Sequence, residues 1–156
     1  MSRRKRPDKR VILPDVRYNS TEVQMFINRV MKDGKKSTAA HAVYGAFALI
    51  ESQKKQQPIE VFTSALKNVG PQMEVRPRRV GGATYQVPME VNSARQFALA
   101  SRWIIASARG RGGRSFAEKL AAELIEAAGG QGSAVRKKEE THKMAEANRA
   151  FSHYRL

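Results

Sequence analysis

The sequence predicts a mainly α-helical single domain with one β-hairpin, for two reasons. Apolar residues recur at the three- and four-residue spacing of amphipathic helices along most of the chain. Residues 73–90 instead alternate apolar and polar side chains on both sides of Gly81-Gly82, which is the pattern of two strands joined by a tight turn. Because 41% of its 156 residues are hydrophobic, the chain can bury a core of its own. We expect about six helices, with a protruding two-stranded hairpin between the third and the fourth.

Residues 1–18 predict a flexible basic N-terminal arm in front of the helical domain, residues 19–149. Cations outnumber carboxylates in this arm, and it has too few apolar residues to fold alone. Its basic residues are Arg3, Arg4, Lys5, Arg6, Lys9, Arg10 and Arg17. At the other end, residues 150–156 predict a short tail that contains the aromatic residues Phe151 and Tyr154.

Three helices are expected between the arm and the hairpin. Asn19 and Glu22 match a capping box that starts the first helix, and Gly34 supplies its C-terminal stop. The second helix follows the apolar stripe within residues 40–50. Pro58 opens the third helix, because the fixed φ of proline suits the first helical position. A glycine–proline pair closes it.

The fourth helix is predicted to be cationic on one face and apolar on the other. Asn92 or Ser93 caps its start. Arg95, Arg102 and Arg109 are spaced by seven residues and lie on one side, since a helix drifts by only about 20° per heptad. The apolar residues fall on the opposite side, so the helix presents a row of arginines to solvent or to a partner.

The last two helices differ in charge. Ser115 and Glu118 match a capping box that begins the fifth helix, and a glycine pair ends it. Because the fifth helix is rich in glutamate, we expect it to face away from a polyanion. The sixth helix, from Ser133 to about Arg149, begins with a cationic segment.

The apolar residues of the hairpin occupy odd positions in both strands, so they share one face only if paired positions sum to an even number. This condition predicts a three-residue loop, residues 80–82, and pairs Pro77 with Tyr85. Arg76 and Arg78 then project from the opposite face. A proline in each strand removes a backbone donor, so neither strand fits the middle of a sheet, and the hairpin is expected to protrude as an isolated ribbon.

The charge of the chain favours nucleic acid as its partner. A total of 29 Lys and Arg residues against 14 Asp and Glu residues gives a formal net charge of +15, and polyanions are the commonest partners of such a field. A membrane surface is the alternative, but the longest nearly apolar stretch, residues 39–50, is too short to span a bilayer, and no signal peptide is evident. With no cysteine, neither a disulfide framework nor a thiolate metal site is expected, and a cytosolic location is the default.

Three motifs link the chain to a known family. They are DGKK at residues 33–36, MEVRPRRVGGATYQVPMEV at residues 73–91 and KKEETHKMAEANRAF at residues 137–151. In their order and spacing they resemble, essentially from end to end, the small-subunit ribosomal protein seven family in its bacterial or organellar form. One difference is visible at residues 154–156, which read Tyr-Arg-Leu, whereas many bacterial members end in Tyr-Arg-Trp.

The resemblance implies a structural protein and not an enzyme, with no cofactor and no metal. It implies direct binding to small-subunit ribosomal RNA, nucleation of the head of the small subunit, and a position near the exit tRNA site. There the hairpin would lie close to tRNA and messenger RNA, with small-subunit ribosomal proteins nine and eleven as neighbours. The family also implies a monomer within a cytoplasmic ribosome, and often repression of its own transcript.

The resemblance and the charge pattern place RNA contacts on the arm, the first helix-to-helix turn, the hairpin, the fourth helix and the segments that follow it. Phosphate contacts position such a protein, whereas RNA shape and bases stacked on rings supply specificity. Tyr85 and Trp103 are the candidate stacking rings, although Tyr85 can instead pack within the ribbon and Trp103 in the core. The predicted RNA-binding residues are Arg3, Arg4, Arg6, Lys9, Arg10, Lys35, Lys36, Arg76, Arg78, Arg79, Gly81, Gly82, Tyr85, Arg95, Arg102, Arg109, Arg111, Arg114 and Lys137.

Two other functions are compatible with a basic helical chain. An RNA-modifying enzyme would need a nucleophile or a general acid and base, but the chain has no cysteine, and His41, His142 and His153 show neither metal-ligand nor catalytic spacing. A DNA-compacting architectural protein also uses basic arms and hairpins with prolines. It would usually carry an apolar wedge at the ribbon tip, whereas residues 80–82 are Val-Gly-Gly beside arginine. Preference for structured RNA over duplex DNA of equal charge distinguishes these functions.

Overall fold

The computed structural model describes residues 10–154. Within this range, six α-helices, one hairpin and a short terminal 3₁₀-helix confirm the mainly helical fold, with the hairpin between the third and fourth helices. The elements are α1 Thr21–Val30, α2 Lys36–Lys54, α3 Pro58–Val69, β1 Met73–Val80, β2 Ala83–Glu90, α4 Ser93–Gly110, α5 Phe116–Ala128, α6 Ser133–Ala147 and the 3₁₀-helix Arg149–Tyr154. Residues 1–9 of the basic arm and residues 155–156 of the Tyr-Arg-Leu ending lie outside the described residues.

The core is formed where α5 contacts α2, α3 and α4. Three fully buried rings join the first three helices to one another: Phe26 lies 5.2 Å from Phe62, and Phe47 lies 5.5 Å from Phe62, measured between ring centroids. Tilted and edge-to-face pairs of this kind stabilise a core beyond the area that they bury. The first helix also contacts α4, which carries several of the basic side chains.

The first helix begins one residue later than the sequence indicates. Ser20 is its N-cap, and Ser20 Oγ accepts a hydrogen bond from Val23 N at 3.4 Å, so the prediction that Asn19 caps this helix is wrong. The cause is a loop at Asp15, whose carboxylate accepts a hydrogen bond from Tyr18 N at 2.8 Å and whose carbonyl accepts one from Asn19 N at 3.0 Å. This loop turns Asn19 into left-handed backbone with φ 49°, whereas an N-cap is normally extended.

The same loop ties the segment before α1 to the helical body. Asp15 is only 2% exposed, and its Oδ1 accepts a hydrogen bond from the Tyr44 hydroxyl at 3.4 Å. The Tyr18 ring packs edge-on against Phe47, with 5.2 Å between centroids. The Asp15 and Tyr18 side chains therefore pack against the helical body.

The other predicted helix starts are confirmed. Pro58 occupies the first turn of α3, Asn92 Oδ1 accepts a hydrogen bond from Arg95 N at 2.9 Å, and Ser115 with Glu118 forms both halves of a capping box. In contrast, α1 ends before the glycine predicted to stop it. That glycine lies in the turn to α2 with φ 72°, where a residue with a side chain would be strained.

The hairpin turn contains two residues and not three. Val80 pairs with Ala83, and Gly81 and Gly82 between them have φ values of 58° and 91°. Positive φ at both central residues defines a type I′ turn, whose twist matches that of the flanking strands. The predicted three-residue loop is therefore wrong, because two glycines in succession make the tighter turn accessible.

This turn shifts the strand register by one residue. Tyr85 pairs with Arg78 and not with the preceding proline, and Val87 pairs with Arg76. Since paired residues share a face, both arginines lie on the face that carries Tyr85 and the fully buried Val87, not on the opposite one. The apolar alternation of β1 is misleading because its most buried residue is Glu74, only 6% exposed.

The hairpin is a free ribbon only near its tip. Its base packs against α6 and the 3₁₀-helix, where Val87 and Pro88 are buried. Val80 and both turn glycines are exposed. The helical body thus fixes the direction of the hairpin while leaving its tip open to a partner.

Candidate nucleic-acid interface

Three arginines from two helices form one exposed group, which we call the α1–α4 arginine cluster: Arg29, Arg102 and Arg109. They line a common groove between the helices. Arg29 Nη1 donates to Phe97 O at 3.2 Å and to Ser101 Oγ at 3.1 Å, and its guanidinium carbon lies 4.8 Å from the centre of the Phe97 ring. Burial, and then the charge of Arg102, lower the pKa of Arg29. The cluster therefore holds like charges close together, as an anion site does.

Sequence reasoning missed Arg29. A cation in the last turn of a helix is expected simply from the helix dipole. The arginine at this position therefore did not by itself indicate an RNA contact. Its partners on α4 are 68 and 72 residues away in the chain, and only the packing of α1 against α4 brings them together.

Arg109 connects this cluster to the turn between α1 and α2. Its Nη2 donates to Val30 O at 3.1 Å, a carbonyl at the end of α1. Lys35 lines the same cavity as Arg109, and Lys36 is exposed at the first residue of α2. Three predicted residues, Lys35, Arg102 and Arg109, are thus brought onto one side of the molecule.

Arg95 lies apart from that row because it binds the base of the hairpin. Its Nε donates to both oxygens of Glu74, at 2.7 and 2.8 Å, and Arg76 Nε donates to Glu74 Oε1 at 2.6 Å. Burial raises the pKa of Glu74, but the hydrogen bonds from both arginines outweigh it and hold the pKa below its usual value. Arg95 and Arg76 therefore orient the hairpin as well as adding charge to it.

The tip of the hairpin presents the remaining predicted arginines. Arg79 is exposed and Arg78 is half-buried, next to the turn formed by Gly81 and Gly82. A Cβ added at either glycine would meet no neighbour within 4 Å. Their positive φ, and not crowding, therefore explains glycine at these positions.

Tyr85 packs against the C-terminal 3₁₀-helix and not within the ribbon. Its ring centroid lies 5.3 Å from that of Phe151 and 5.0 Å from that of Tyr154. Trp103 is partly buried against the hydrophobic core. Neither ring is free in this arrangement, so base stacking on them stays a prediction.

Arg111 forms ion pairs inside the body. Its Nε donates to Glu123 Oε2 at 2.5 Å, its Nη1 donates to Glu126 Oε1 at 2.9 Å, and its Nη2 also contacts Glu126. The hydrogen bond to Glu126 is the largest factor that raises the pKa of Arg111. Glu123 and Glu126 of α5 are thus paired with Arg111 and do not form an open acidic face.

The other predicted RNA-binding residues between residues 10 and 154 are dispersed. Arg10 is exposed at the start of the described chain, and Arg114 is exposed in the α4–α5 loop. Lys137 Nζ donates to Glu140 Oε2 at 2.9 Å on the surface of α6. Those that lie outside the described residues are Arg3, Arg4, Arg6 and Lys9.

His142 has a structural role between the hairpin and α6. Its Nε2 accepts a hydrogen bond from Gln72 N at 3.0 Å, just before β1. Burial, and then the charge of Lys138, lower the pKa of His142. In the described part of the chain, no group of three or more His, Cys, Asp or Glu side chains could hold a metal ion. No helix between residues 10 and 154 has both the length and the apolar character needed to cross a membrane.

Acidification is expected to weaken the fold through His142. Because its folded pKa is lowered, its contribution is fully present above the unfolded pKa of about 6.5 and is lost as the pH falls below that value. The melting temperature should therefore fall between pH 7.5 and 5.5, and His142→Gln should flatten this dependence. His41→Gln, at an exposed position on α2, should leave it unchanged; equal slopes in the two variants would contradict the assignment.

A family model described as ribosomal protein S7p/S5e matches residues 2–149. The chain belongs to the ribosomal protein S7p/S5e family. This membership confirms the resemblance that the three motifs indicate. The S7p/S5e family consists of ribosomal proteins and not of enzymes, so an RNA-modifying enzyme is excluded.

Similar proteins cover the chain almost completely. Three of them are named small ribosomal subunit protein uS7: those of Methylorubrum populi at 59% identity, Methylobacterium nodulans at 58% and Xanthobacter autotrophicus at 56%. Each aligns over 155 residues, which is 99% of this chain and 99% of the relative. The likeness to the S7p/S5e family is therefore not confined to one segment.

Proposed function

We propose that this structural ribosomal protein binds small-subunit ribosomal RNA directly and nucleates the head of the small subunit. The α1–α4 arginine cluster is the observation that supports this proposal. Burial, and then the charge of Arg102, lower the pKa of Arg29 in the free protein, and phosphates bound in the groove that these arginines line would relieve the repulsion between Arg29 and Arg102. The names of the similar proteins, which place them in the small ribosomal subunit, are consistent with this assignment.

The arrangement suits folded RNA better than a straight duplex. The cluster lies between α1 and α4, whereas Arg78 and Arg79 lie on a hairpin that packs against a different part of the body. Cations placed in this way contact phosphates from several directions, and RNA shape then supplies the specificity. In the proposal, the basic arm with Arg3, Arg4 and Arg6 adds further phosphate contacts.

The hairpin tip has the geometry to reach beyond the primary RNA contact. We assign Arg78 and Arg79 to exit-site tRNA and messenger RNA, because the tip is exposed while the base is held by Glu74 and Arg95. Small-subunit ribosomal proteins nine and eleven are the proposed neighbours in a bacterial cytoplasmic ribosome. Repression of its own transcript would follow if that transcript presents an RNA of similar shape to the same surface.

A salt series tests the primary proposal. The affinity of the full chain is measured for a head-domain fragment of small-subunit ribosomal RNA, with duplex DNA and an unrelated RNA as competitors. If about six phosphates are engaged, log affinity should fall with log salt at a slope of about −4, at roughly −0.7 per phosphate. A preference for the head-domain RNA that survives competition supports the proposal. The same slope without preference would favour a general polyanion binder such as an architectural protein.

Removing the tip arginines should weaken RNA binding without loosening the fold. Arg78→Ala with Arg79→Ala should reduce affinity roughly 10- to 30-fold, at about 1 kcal/mol or less for each phosphate that is no longer bound. Neither residue belongs to the ion pairs at Glu74, so the melting temperature should hardly change. Lys54→Ala with Lys67→Ala, at exposed positions of α2 and α3, is the control that removes the same charge. An equal fall in affinity in both variants would contradict a specific role for the tip.

A further inference from the structure

A cavity beside the arginine cluster has a different character from the cluster itself. It lies where the end of α1, the start of α2 and the start of α5 meet, and its volume is about 500 Å³. Four apolar residues line it: Val30, Ala39, Ala42 and Phe116. The first two belong to the buried core, and Phe116 is half-buried. An aromatic ring and core side chains are therefore accessible to solvent through this cavity.

Charged residues line the same cavity. Lys32, Lys35 and Arg109 contribute cations, and Asp33 contributes a carboxylate. Arg109 is held in place by its hydrogen bond to Val30 O, and it also lines the groove of the arginine cluster. A chain of phosphates bound along the cluster would therefore continue to the mouth of this cavity.

We infer that this cavity receives one unstacked nucleobase of a single-stranded RNA segment, with the base against Phe116 and the flanking phosphates at Lys35 and Arg109. This inference rests on the proposed function, because it names a contact within the same RNA-binding surface. An apolar pocket edged by cations complements a nucleotide, which has a flat apolar face and a charged backbone.

Size and polarity restrict the occupant further. Pockets of about 300–1,000 Å³ hold small organic groups, so a single base fits here whereas a duplex does not. The Asp33 carboxylate repels phosphate and can accept a hydrogen bond from a base amino group, as acidic side chains do with cytosine. The base, and not the phosphate, is therefore directed inward, and bases that carry an amino group are favoured.

Two hexamers with equal numbers of phosphates test the inference with the full chain. One consists of cytidines, and the other replaces every base by a tetrahydrofuran spacer. We expect the protein to bind the cytidine hexamer about tenfold more tightly, within the range that base stacking on aromatic side chains supplies. Ala42→Leu should remove most of this preference, since it fills the cavity without changing any charge. Ala48→Leu, at an exposed position of the same helix, should retain it.

The outcomes separate this inference from the proposed function. Equal preference in the two leucine variants, or no preference in the unaltered protein, overturns the inference. Failure of the protein to prefer head-domain RNA over duplex DNA overturns the proposed function instead. A second measurement does not depend on how Ala42→Leu folds: the unaltered protein is irradiated with a hexamer that contains 5-iodocytidine, and adducts are mapped by mass spectrometry. An adduct at Phe116 supports the inference, and its absence from Phe116 overturns it.

Discussion

Replacing Glu123 by alanine should destabilise the protein by about 3 kcal/mol, the lower end of the range for breaking a buried ion pair. The Glu123 side chain is fully buried, and its two oxygens have separate partners: Oε2 accepts from Arg111 Nε at 2.5 Å, and Oε1 accepts from Ala134 N at 3.0 Å. Alanine would leave the Arg111 guanidinium with half of its carboxylate partners and would leave the first turn of α6 without a cap. The destabilisation should appear as a lower midpoint of urea unfolding.

Glu126→Ala is the matched control for this prediction. Glu126 also binds Arg111, but its side chain is 43% exposed, and partly exposed ion pairs contribute about 1 kcal/mol or less. Equal destabilisation by the two variants would show that burial of Glu123 is not the deciding factor. Neither variant removes a residue of the α1–α4 arginine cluster, so the affinity for RNA under folding conditions should stay close to that of the unaltered protein.

Features that depend on a few neighbouring residues could be predicted from the sequence. Pro58 fixes its own φ, Asn92 reaches an amide three residues away, and Ser115 exchanges hydrogen bonds with Glu118. Such caps are local interactions, so their residue types indicate where a helix starts. The start of α1 shows the limit of this reasoning, because the backbone of Asn19 is set by a loop that a preceding aspartate closes.

Apolar alternation gave the wrong hairpin register, because it is a poor guide to the buried face of β1. Apolar alternation assumes that the apolar face of a strand is its buried face. In β1 the most buried residue is Glu74, and Arg95 of α4 satisfies its charge from 21 residues away. The glycine pair was predicted correctly to form the turn, but the predicted turn was one residue too long.

The sequence predicted many of the charged residues of the candidate site, but not how the fold arranges them in space. Arg102 and Arg109 could be placed on one helix face because they share a heptad spacing. The sequence could not show that Arg29 would join them from α1, or that Arg111 would instead be paired with Glu123 and Glu126. Both outcomes are set by helix packing, which brings together residues distant in the chain.

Replacing the whole α1–α4 arginine cluster by glutamine should reduce the affinity for head-domain RNA roughly 100-fold, at about 1 kcal/mol for each phosphate that the variant no longer binds. The salt slope should become shallower by about 2, at roughly 0.7 per phosphate. The variant loses the hydrogen bonds of Arg29 and Arg109 but also removes the repulsion of Arg29 by Arg102, which adds to burial in lowering the pKa of Arg29. Because these two effects oppose each other, thermal stability should change little. The variant also loses the packing of the Arg29 guanidinium on the Phe97 ring, which opposes the gain in stability from reduced charge repulsion.

A second triple variant separates the position of charge from its amount. Lys54→Gln, Lys67→Gln and Lys143→Gln change exposed residues of α2, α3 and α6, and they remove the same three positive charges from the formal net charge of +15. If RNA responds mainly to the overall field, affinity should fall equally in both variants. If the cluster holds phosphates directly, the lysine variant should keep most of its affinity and its salt slope. At physiological salt the field of an exposed charge is screened over about 8 Å, so lysines far from the bound RNA contribute little. Isothermal titration at several salt concentrations decides between these outcomes.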